Sequence, residues 1–279
     1  MSPLVHFLNG KFVSEKELLI SPRDLGFVRG YAVNDFIFTV NHQPFKLTEH
    51  IDRLFRSAEI YGLYMPWSKA QVATWVKQTL DKNDKSTEKT IKIVVSGGPS
   101  PSMYQADTPT IVMIVDQYRE KPSSYYKDGI KVQAVKYKRS NPEAKHTNHV
   151  EAIKHLAKVK DEGITEVLYY DEFQVYEAGR SNLFAVIDNK LVTSKSNIVK
   201  GIIRETLLEI LQLNVPIEVR DFTYDELLKA TEVFVTYSRN GAIGVIEISG
   251  RMVGNGRVGS ITNEVATQYK AYLTRISQH

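Results

Sequence analysis

The sequence predicts an α/β protein of the α+β kind, folded as two domains. Short β-prone runs recur along the whole chain, many with alternating apolar positions. Stretches with apolar residues at helical spacing separate them. Near its middle, the charged stretch REKPSSYYKDG, with a proline, two serines and a glycine, reads as a linker. These observations predict an N-terminal α/β domain over 1–119, an interdomain linker over 120–128 and a C-terminal α/β domain over 129–279.

VHFLNGKFV predicts a hairpin, because Asn9-Gly10 is the strongest short turn signal. DFIFTVNHQPFKL predicts a second, with strands flanking Asn41 to Pro44. LTEHIDRLFRSAEIYGL predicts a helix with Thr48 as N-cap, an apolar face of Ile51, Leu54, Phe55, Ala58 and Ile60, and Gly62 as its stop. SKAQVATWVKQTLDKN predicts another, capped by Ser68. KTIKIVVSGGPS is a strand entering a Gly-Pro loop, and TPTIVMIVDQY is the next strand. Beyond the linker, KVQAVKYKR predicts a strand, and a helix follows Lys145 and ends near Glu162-Gly163. VLYYDEFQVYEAGRSNLFAVIDNKLVT predicts two strands with Glu177 at the bend between them. IVKGIIRETLLEILQLN is a helix opened by Gly201, YDELLKA a short helix and TEVFVTYS a buried strand. VIEISGRMVGNGRVG is a further hairpin, and the last twenty residues form a polar amphipathic helix. No internal repeat or low-complexity segment interrupts this order.

Composition narrows the function classes. The 279 residues are 42% hydrophobic and 24% charged, an ordinary globular balance. The net charge of +4 is mild and the basic residues are interspersed, so no nucleic-acid partner is expected. The absence of cysteine excludes disulfides, thiolate chemistry and cysteine-ligated metal; it fits a cytoplasmic protein, and no metal site is expected. MSPLVHFLNGKFV has no basic region followed by an apolar core, so no signal peptide is expected. No apolar run approaches the roughly 20 residues of a membrane helix, so no membrane partner is expected.

Two residues stand where chemistry can occur. Lys145 lies between an irregular, Pro-containing segment and an apolar-periodic helix. A neutral lysine amine is a nucleophile toward aldehydes, but a solvated lysine before a helix has the same local sequence. Glu177 can hold a protonated ring nitrogen by a charge-assisted hydrogen bond, or can be a turn acid facing water.

The spacing Lys145-x-x-Asn148, then Glu177-x-x-x-Ser181-Asn182-Leu183-Phe184, resembles the fold-type IV pyridoxal-phosphate enzymes. That family includes branched-chain and D-amino-acid aminotransferases and aminodeoxychorismate lyase. The resemblance continues in order through RGYAVNDFIFTV, EHIDRLFRSAE, KGIIRETLLE, EVFVTYS and GRMVGNGRVGSIT, so it covers nearly the whole chain. It implies two α/β domains with pyridoxal 5'-phosphate between them, and homodimers. The implied reaction moves an amino group between an amino acid and a 2-oxo acid, with a branched-chain-like enzyme as one form of it; a lyase of the aminodeoxychorismate type is the alternative.

The resemblance also implies roles. Lys145 matches the Schiff-base lysine and proton shuttle, and Glu177 the partner of the pyridine nitrogen. Arg53 matches the phosphate arginine, against the alternative of an exposed arginine on an amphipathic helix; His50, one turn earlier, either supports it or is a surface histidine. Ile202 and Ile203 match a helix start that donates backbone N–H groups to the phosphate, and Ser238 a phosphate hydroxyl. On the substrate side, Phe38 matches an aromatic position or is a core strand residue. Arg180 and Arg239 stand where relatives have smaller residues; Arg180 either binds a substrate acid or pairs with a neighbouring carboxylate. Asn240, Gly241 and Ala242 match a turn that offers N–H groups to a substrate carboxylate.

Departures from the family pattern narrow the branch. Ile203 replaces a frequent threonine, Tyr237 a usual small residue, and Asn34-Asp35-Phe36 the usual Gly-Asp-Gly. GGPSPSMY offers Ser102 and Tyr104 where the D-amino-acid branch has an arginine and a histidine. Val40 and Ser102 replace the lyase branch's threonine and arginine, although KHTN resembles its lysine context; His149 stands near the branched-chain tyrosine position.

Overall fold

The computed structural model describes residues 3–106, 108–159, 162–239 and 241–278. Packing groups the chain into two units: Met1–Arg119 with Glu143–Asn148, and Glu120–Pro142 with His149–His279. The short segment around Lys145 therefore belongs to the N-terminal unit. This corrects the assignment of that lysine to the C-terminal domain.

The N-terminal unit runs β1 (Val5–Leu8), β2 (Lys11–Ser14), α1 (Leu25–Arg29), β3 (Ala32–Val40), β4 (Gln43–Pro44), α2 (Leu47–Ile60), α3 (Lys69–Asp81), β5 (Lys89–Ser96) and β6 (Thr110–Gln117). Among the described residues its sheet has the order β2-β1-β6-β5-β3-β4. Asn9 and Gly10 both take positive φ, which makes the two-residue turn that matches strand twist. The second hairpin is tighter than expected. Its turn is Asn41-His42, with positive φ at both, so Gln43 and Pro44 already pair with Val40 and Thr39.

α2 opens at Leu47 behind Lys46, not at Thr48; Gly62 follows it at positive φ. Ser68 caps α3 by accepting from the Gln71 N–H at 3.1 Å. Ile51, Leu54 and Ala58 of α2 join Val72 and Val76 of α3 over Val33 and Ile37 of β3. Ile60 departs from the expected apolar face and is partly exposed. Strand alternation puts Asp35 on the same side as Val33 and Ile37, under α2. Ala32, Val94, Ser96, Thr110 and Val112 line a cavity of about 410 Å³ in this unit.

The C-terminal unit runs α4 (Ser123–Lys127), β7 (Ile130–Lys136), α5 (Val150–Lys158), β8 (Ile164–Tyr170), β9 (Val175–Ala178), β10 (Leu183–Ile187), β11 (Lys190–Thr193), α6 (Ile202–Ile210), β12 (Ile217–Val219), α7 (Tyr224–Leu227), β13 (Glu232–Tyr237), β14 (Gly241–Ile248), β15 (Arg251–Met252) and α8 (Ser260–Ile276). Its sheet order is β12-β11-β10-β13-β14-β7-β8-β9, with β15 added to β14. α4 occupies the stretch read as a linker and packs with this unit. The helix after Lys145 ends at Lys158, short of Glu162. The stretch read as two strands forms β8 to β11, and Glu177 lies within β9 rather than at a bend. Leu168, Val175, Leu183, Val235, Ile243 and Val245 share its largest core.

Candidate functional site

In the N-terminal unit, residues 145–147 lie against the edge of β3. Asn34 N–H donates to the Lys145 carbonyl at 2.8 Å, and Thr147 N–H to the Ala32 carbonyl at 3.2 Å. From the helix side, Lys145 N–H donates to Ser57 Oγ at 3.0 Å, while that hydroxyl donates to the Arg53 carbonyl at 2.8 Å. The lysine backbone is thus fixed to β3 and α2 together, and its side chain is partly exposed.

Arg53 is not on an exposed helix face. It is buried, and its fork grips Asp35: Nε donates to Oδ2 at 2.9 Å and Nη2 to Oδ1 at 2.8 Å. His50 is buried too, which excludes the surface alternative; its Nδ1 lies 2.6 Å from Asp35 Oδ1. Burial alone would raise the Asp35 pKa, but Arg53 and His50 outweigh it and hold the carboxyl well below its usual range. Asp35 was missed as a site residue. The available signal was an acid among apolar residues on the core face of a strand.

In the C-terminal unit, Glu177 is buried and fully organised. Arg139 Nη1 donates to Oε1 at 2.5 Å; Asn182 Nδ2 and Val199 N–H donate to Oε2, each at 3.2 Å. The alternative of a turn acid facing water is excluded by its burial. Asn182 also accepts from Gly201 N–H at 3.0 Å, which ties Glu177 to the start of α6. A Cβ at Gly201 would come within 2.0 Å of Asn182 Oδ1, so this contact requires glycine. Gly201 is the N-cap of α6, and Ile202 and Ile203 form its buried first turn.

The substrate-side residues divide. Phe38 is 1% exposed and stacks on Phe45 with ring centroids 4.7 Å apart, which makes it a core residue of β3. Arg180 pairs with a neighbouring carboxylate: Nε donates to Glu166 Oε2 at 3.1 Å. Tyr237 O–H donates to the same oxygen at 3.0 Å. Burial pushes the Glu166 pKa up, against Arg180, the Val167 N–H and Tyr237. Sequence reasoning missed Glu166, Arg139 and this role for Tyr237. Ser238 and Arg239 form a partly buried turn, and the Ser238 carbonyl accepts from Tyr269 O–H at 3.0 Å. Gly241 and Ala242 open β14, both buried. Gly241 takes positive φ, and a Cβ there would meet Tyr269 at 2.5 Å. Asn240 lies outside the described residues.

Each unit offers buried polar atoms without partners among the described residues: His50 Nε2 in the first, Ser181 Oγ in the second. Such atoms are costly unless a bound molecule satisfies them. Taken unit by unit, the residue types fit parts of a phosphorylated, aldehyde-bearing heterocycle: a lysine and a buried arginine in the first, an anchored carboxylate and a helix start in the second.

No group of three or more histidines, cysteines or acids suited to a metal occurs among the described residues, and no helix there is long and apolar enough to cross a membrane. A family model described as amino-transferase class IV matches residues 32–248. The chain is 28% identical over 276 residues to D-alanine aminotransferase of Staphylococcus aureus (strain COL), covering 96% of this chain and 97% of the relative. It is 30% identical over 283 residues to a Methanocaldococcus jannaschii protein provisionally named a branched-chain-amino-acid aminotransferase, covering 96% of each. A solved branched-chain amino acid aminotransferase from T.th., with pyridoxamine 5'-phosphate, superposes with a TM-score of 0.88 at 22% identity over 99% of this chain and 95% of that one. The fold-type IV resemblance and the two-sheet α/β architecture thus hold, and the chain belongs to aminotransferase class IV, the pyridoxal-phosphate-dependent transaminases.

Proposed function

We propose that this transaminase works through Lys145, Arg53, Glu177, the first turn of α6 and Ser238. When bound, pyridoxal 5'-phosphate supplies an electron sink for the substrate's α-carbon. The protein's share is binding, orientation and proton movement. Lys145 Nζ is the attachment point and the base that takes and returns the α-proton. Arg53, the N–H groups of Ile202 and Ile203, and Ser238 Oγ serve the phosphate. Glu177, oriented by Arg139 and Asn182, serves the ring nitrogen. The observation that carries this reading is the Ser57 link, because one hydroxyl joins the backbones of Lys145 and Arg53.

The test is a half-reaction screen with single L- and D-amino acids and no oxo acid. The best donor converts the cofactor stoichiometrically to pyridoxamine 5'-phosphate, measured by chromatography. Pyruvate release from aminodeoxychorismate without that conversion overturns the reading. The same screen identifies the donor; a preference for branched-chain amino acids is the expected outcome, supported by the missing arginine and histidine in GGPSPSMY. We further infer a cytoplasmic homodimer. The dimer is supported by exposed Leu19, Ile20, Phe27 and Tyr104, with Ile20 and Phe27 also lining the N-terminal cavity. Sedimentation at a monomer's mass overturns it.

Two variants test the assigned roles. Glu177→Gln keeps the cofactor but lowers kcat, since a neutral amide cannot balance a pyridinium charge. A hydrogen bond to a charged group contributes about 1.5 to 3 kcal/mol, so the expected loss is roughly ten- to a hundredfold. Unchanged turnover on the best donor removes Glu177 from the ring nitrogen. For Arg53, alanine would strand buried Asp35, so Arg53→Lys is the cleaner change: the charge stays and the fork is lost. Cofactor affinity should fall roughly tenfold or more while kcat of the loaded enzyme changes less. Equal dissociation constants for the two proteins would separate Arg53 from the phosphate.

A further inference from the structure

We propose that Asn34 is a substrate-binding residue, whose side-chain amide donates a hydrogen bond to the carboxylate that the amino acid and the 2-oxo acid both carry. The inference rests on the reading that Lys145 serves the substrate's α-carbon. It adds a residue that departs from the family pattern, since relatives usually have glycine there.

Register places the amide beside the lysine. Val33 and His146 face each other in an antiparallel bridge. On either side of it, Asn34 N–H donates to the Lys145 carbonyl at 2.8 Å and Thr147 N–H to the Ala32 carbonyl at 3.2 Å. Asn34 is therefore opposite Lys145, and Ala32 opposite Thr147. Facing residues of such a pair share one side of the sheet, with Cβ atoms about 4.5 to 5.5 Å apart, and successive residues alternate between sides. Val33 and His146 take the α2 side: Val33 joins the core under α2, and the His146 and Tyr61 ring centroids are 5.3 Å apart. Asn34 and Lys145 take the other side.

That side has open room. Lys145, Asn34, Val94 and Val112 form one row across the sheet; Thr147, Ala32, Ser96 and Thr110 form the next. All of them except Lys145 and Asn34 line the cavity of about 410 Å³. Asn34 thus stands at the cavity's rim, between Lys145 and Val94. It is 6% exposed, and its amide has no hydrogen-bond partner among the described residues. Unlike His50 Nε2, the amide is not sealed off. A nearly buried amide left unpaired is costly until an acceptor reaches it. Chemistry identifies that acceptor. The carbon that Lys145 serves has a carboxylate one bond away in the amino acid and in the 2-oxo acid alike. An ionised carboxylate only accepts, and the amide offers two N–H donors. Being neutral, the amide holds the carboxylate without adding charge beside an amine that must lose a proton to act as a base.

The test uses the holoenzyme and two variants of nearly the same volume. Asn34→Leu has no donor, and Asn34→Asp sets a carboxylate against the substrate's own. Both keep the backbone N–H that holds Lys145, and Asn34→Gly, the residue usual in relatives, replaces either one that does not fold. The probes are the best amino donor in single-turnover half-reactions and the non-reacting carboxylic acid of the same carbon skeleton, followed by calorimetry. Both variants should raise the donor's half-saturation concentration and the acid's dissociation constant roughly ten- to a hundredfold, aspartate more than leucine. The limiting rate at saturating donor and the cofactor's dissociation constant should change much less, as for a contact equal in ground and transition states. Unchanged constants for donor and acid overturn the inference. So does a limiting rate that falls as much as those constants rise, because Asn34 would then act through Lys145. Lys145→Ala separates the two readings. If that variant is inactive while the Asn34 variants bind the acid as wild type does, only the Asn34 role falls. If it transaminates normally, the reading of Lys145 has failed as well.

Discussion

Lys145→Ala yields a folded protein that no longer transaminates. The bonds that fix this position come from its backbone: the N–H to Ser57 Oγ and the carbonyl from Asn34 N–H. Alanine keeps both, and the partly exposed side chain contributes no core volume. The fold and its unfolding midpoint therefore change little. Activity changes greatly, because the same amine serves as attachment point and as base. Loss of a positioned general base alone typically costs about 10²- to 10⁴-fold, and loss of the nucleophile adds to it. The checks are turnover with the best donor and the mass of borohydride-treated protein. A borohydride-fixed cofactor on another residue, together with normal turnover, rejects Lys145.

How much could be read in advance depended on how local each signal was. The Asn9-Gly10 turn, the Ser68 cap and the Gly201 helix start are set by neighbouring residues and appear where expected. Pro122 lies in the stretch whose composition reads as a linker, yet it stands at the N-cap of α4, where a proline is compatible with a helix start. Non-local pairings were the blind spot. Glu177 was expected at a bend because the local string is rich in turn residues. Its strand position is set by pairing with β8, through a register irregularity. The Arg53 position was legible only by resemblance, since its amphipathic helix is equally compatible with exposure. What buries it is Asp35, 18 residues earlier and on another element. The same acid takes in His50, which no periodicity marks as buried. Lys145 lies far along the chain from its packing partners Ser57 and Asn34, and nothing near it announces that return.

Asp35→Asn should be the most destabilising single change among the residues discussed. The carboxylate is completely buried and accepts from Arg53 twice and from His50 once. Asparagine has nearly the same volume, so no cavity forms. Its one carbonyl oxygen replaces two charged acceptors, and its NH2 group points a donor at a donor. Arg53 cannot neutralise itself by losing a proton, so a buried cation is left uncompensated. Removing one partner of a buried pair typically costs about 3 to 5 kcal/mol. For a protein of this size each kcal/mol lowers Tm by about 2 to 4 °C, so the N-terminal unit should melt at least about 6 °C earlier. The pH dependence carries a sign. Asp35 is held below its usual range when folded, so its contribution is fully present above its unfolded pKa near 3.9. It drains away only as pH falls below that value, towards the depressed folded pKa. The gap between wild type and Asp35→Asn should therefore be constant from pH 5 to 8 and narrow in acid. Urea unfolding across that range measures it. A variant as stable as wild type at pH 7 would mean that Arg53 and His50 find other partners, and that Asp35 is not what holds them in place.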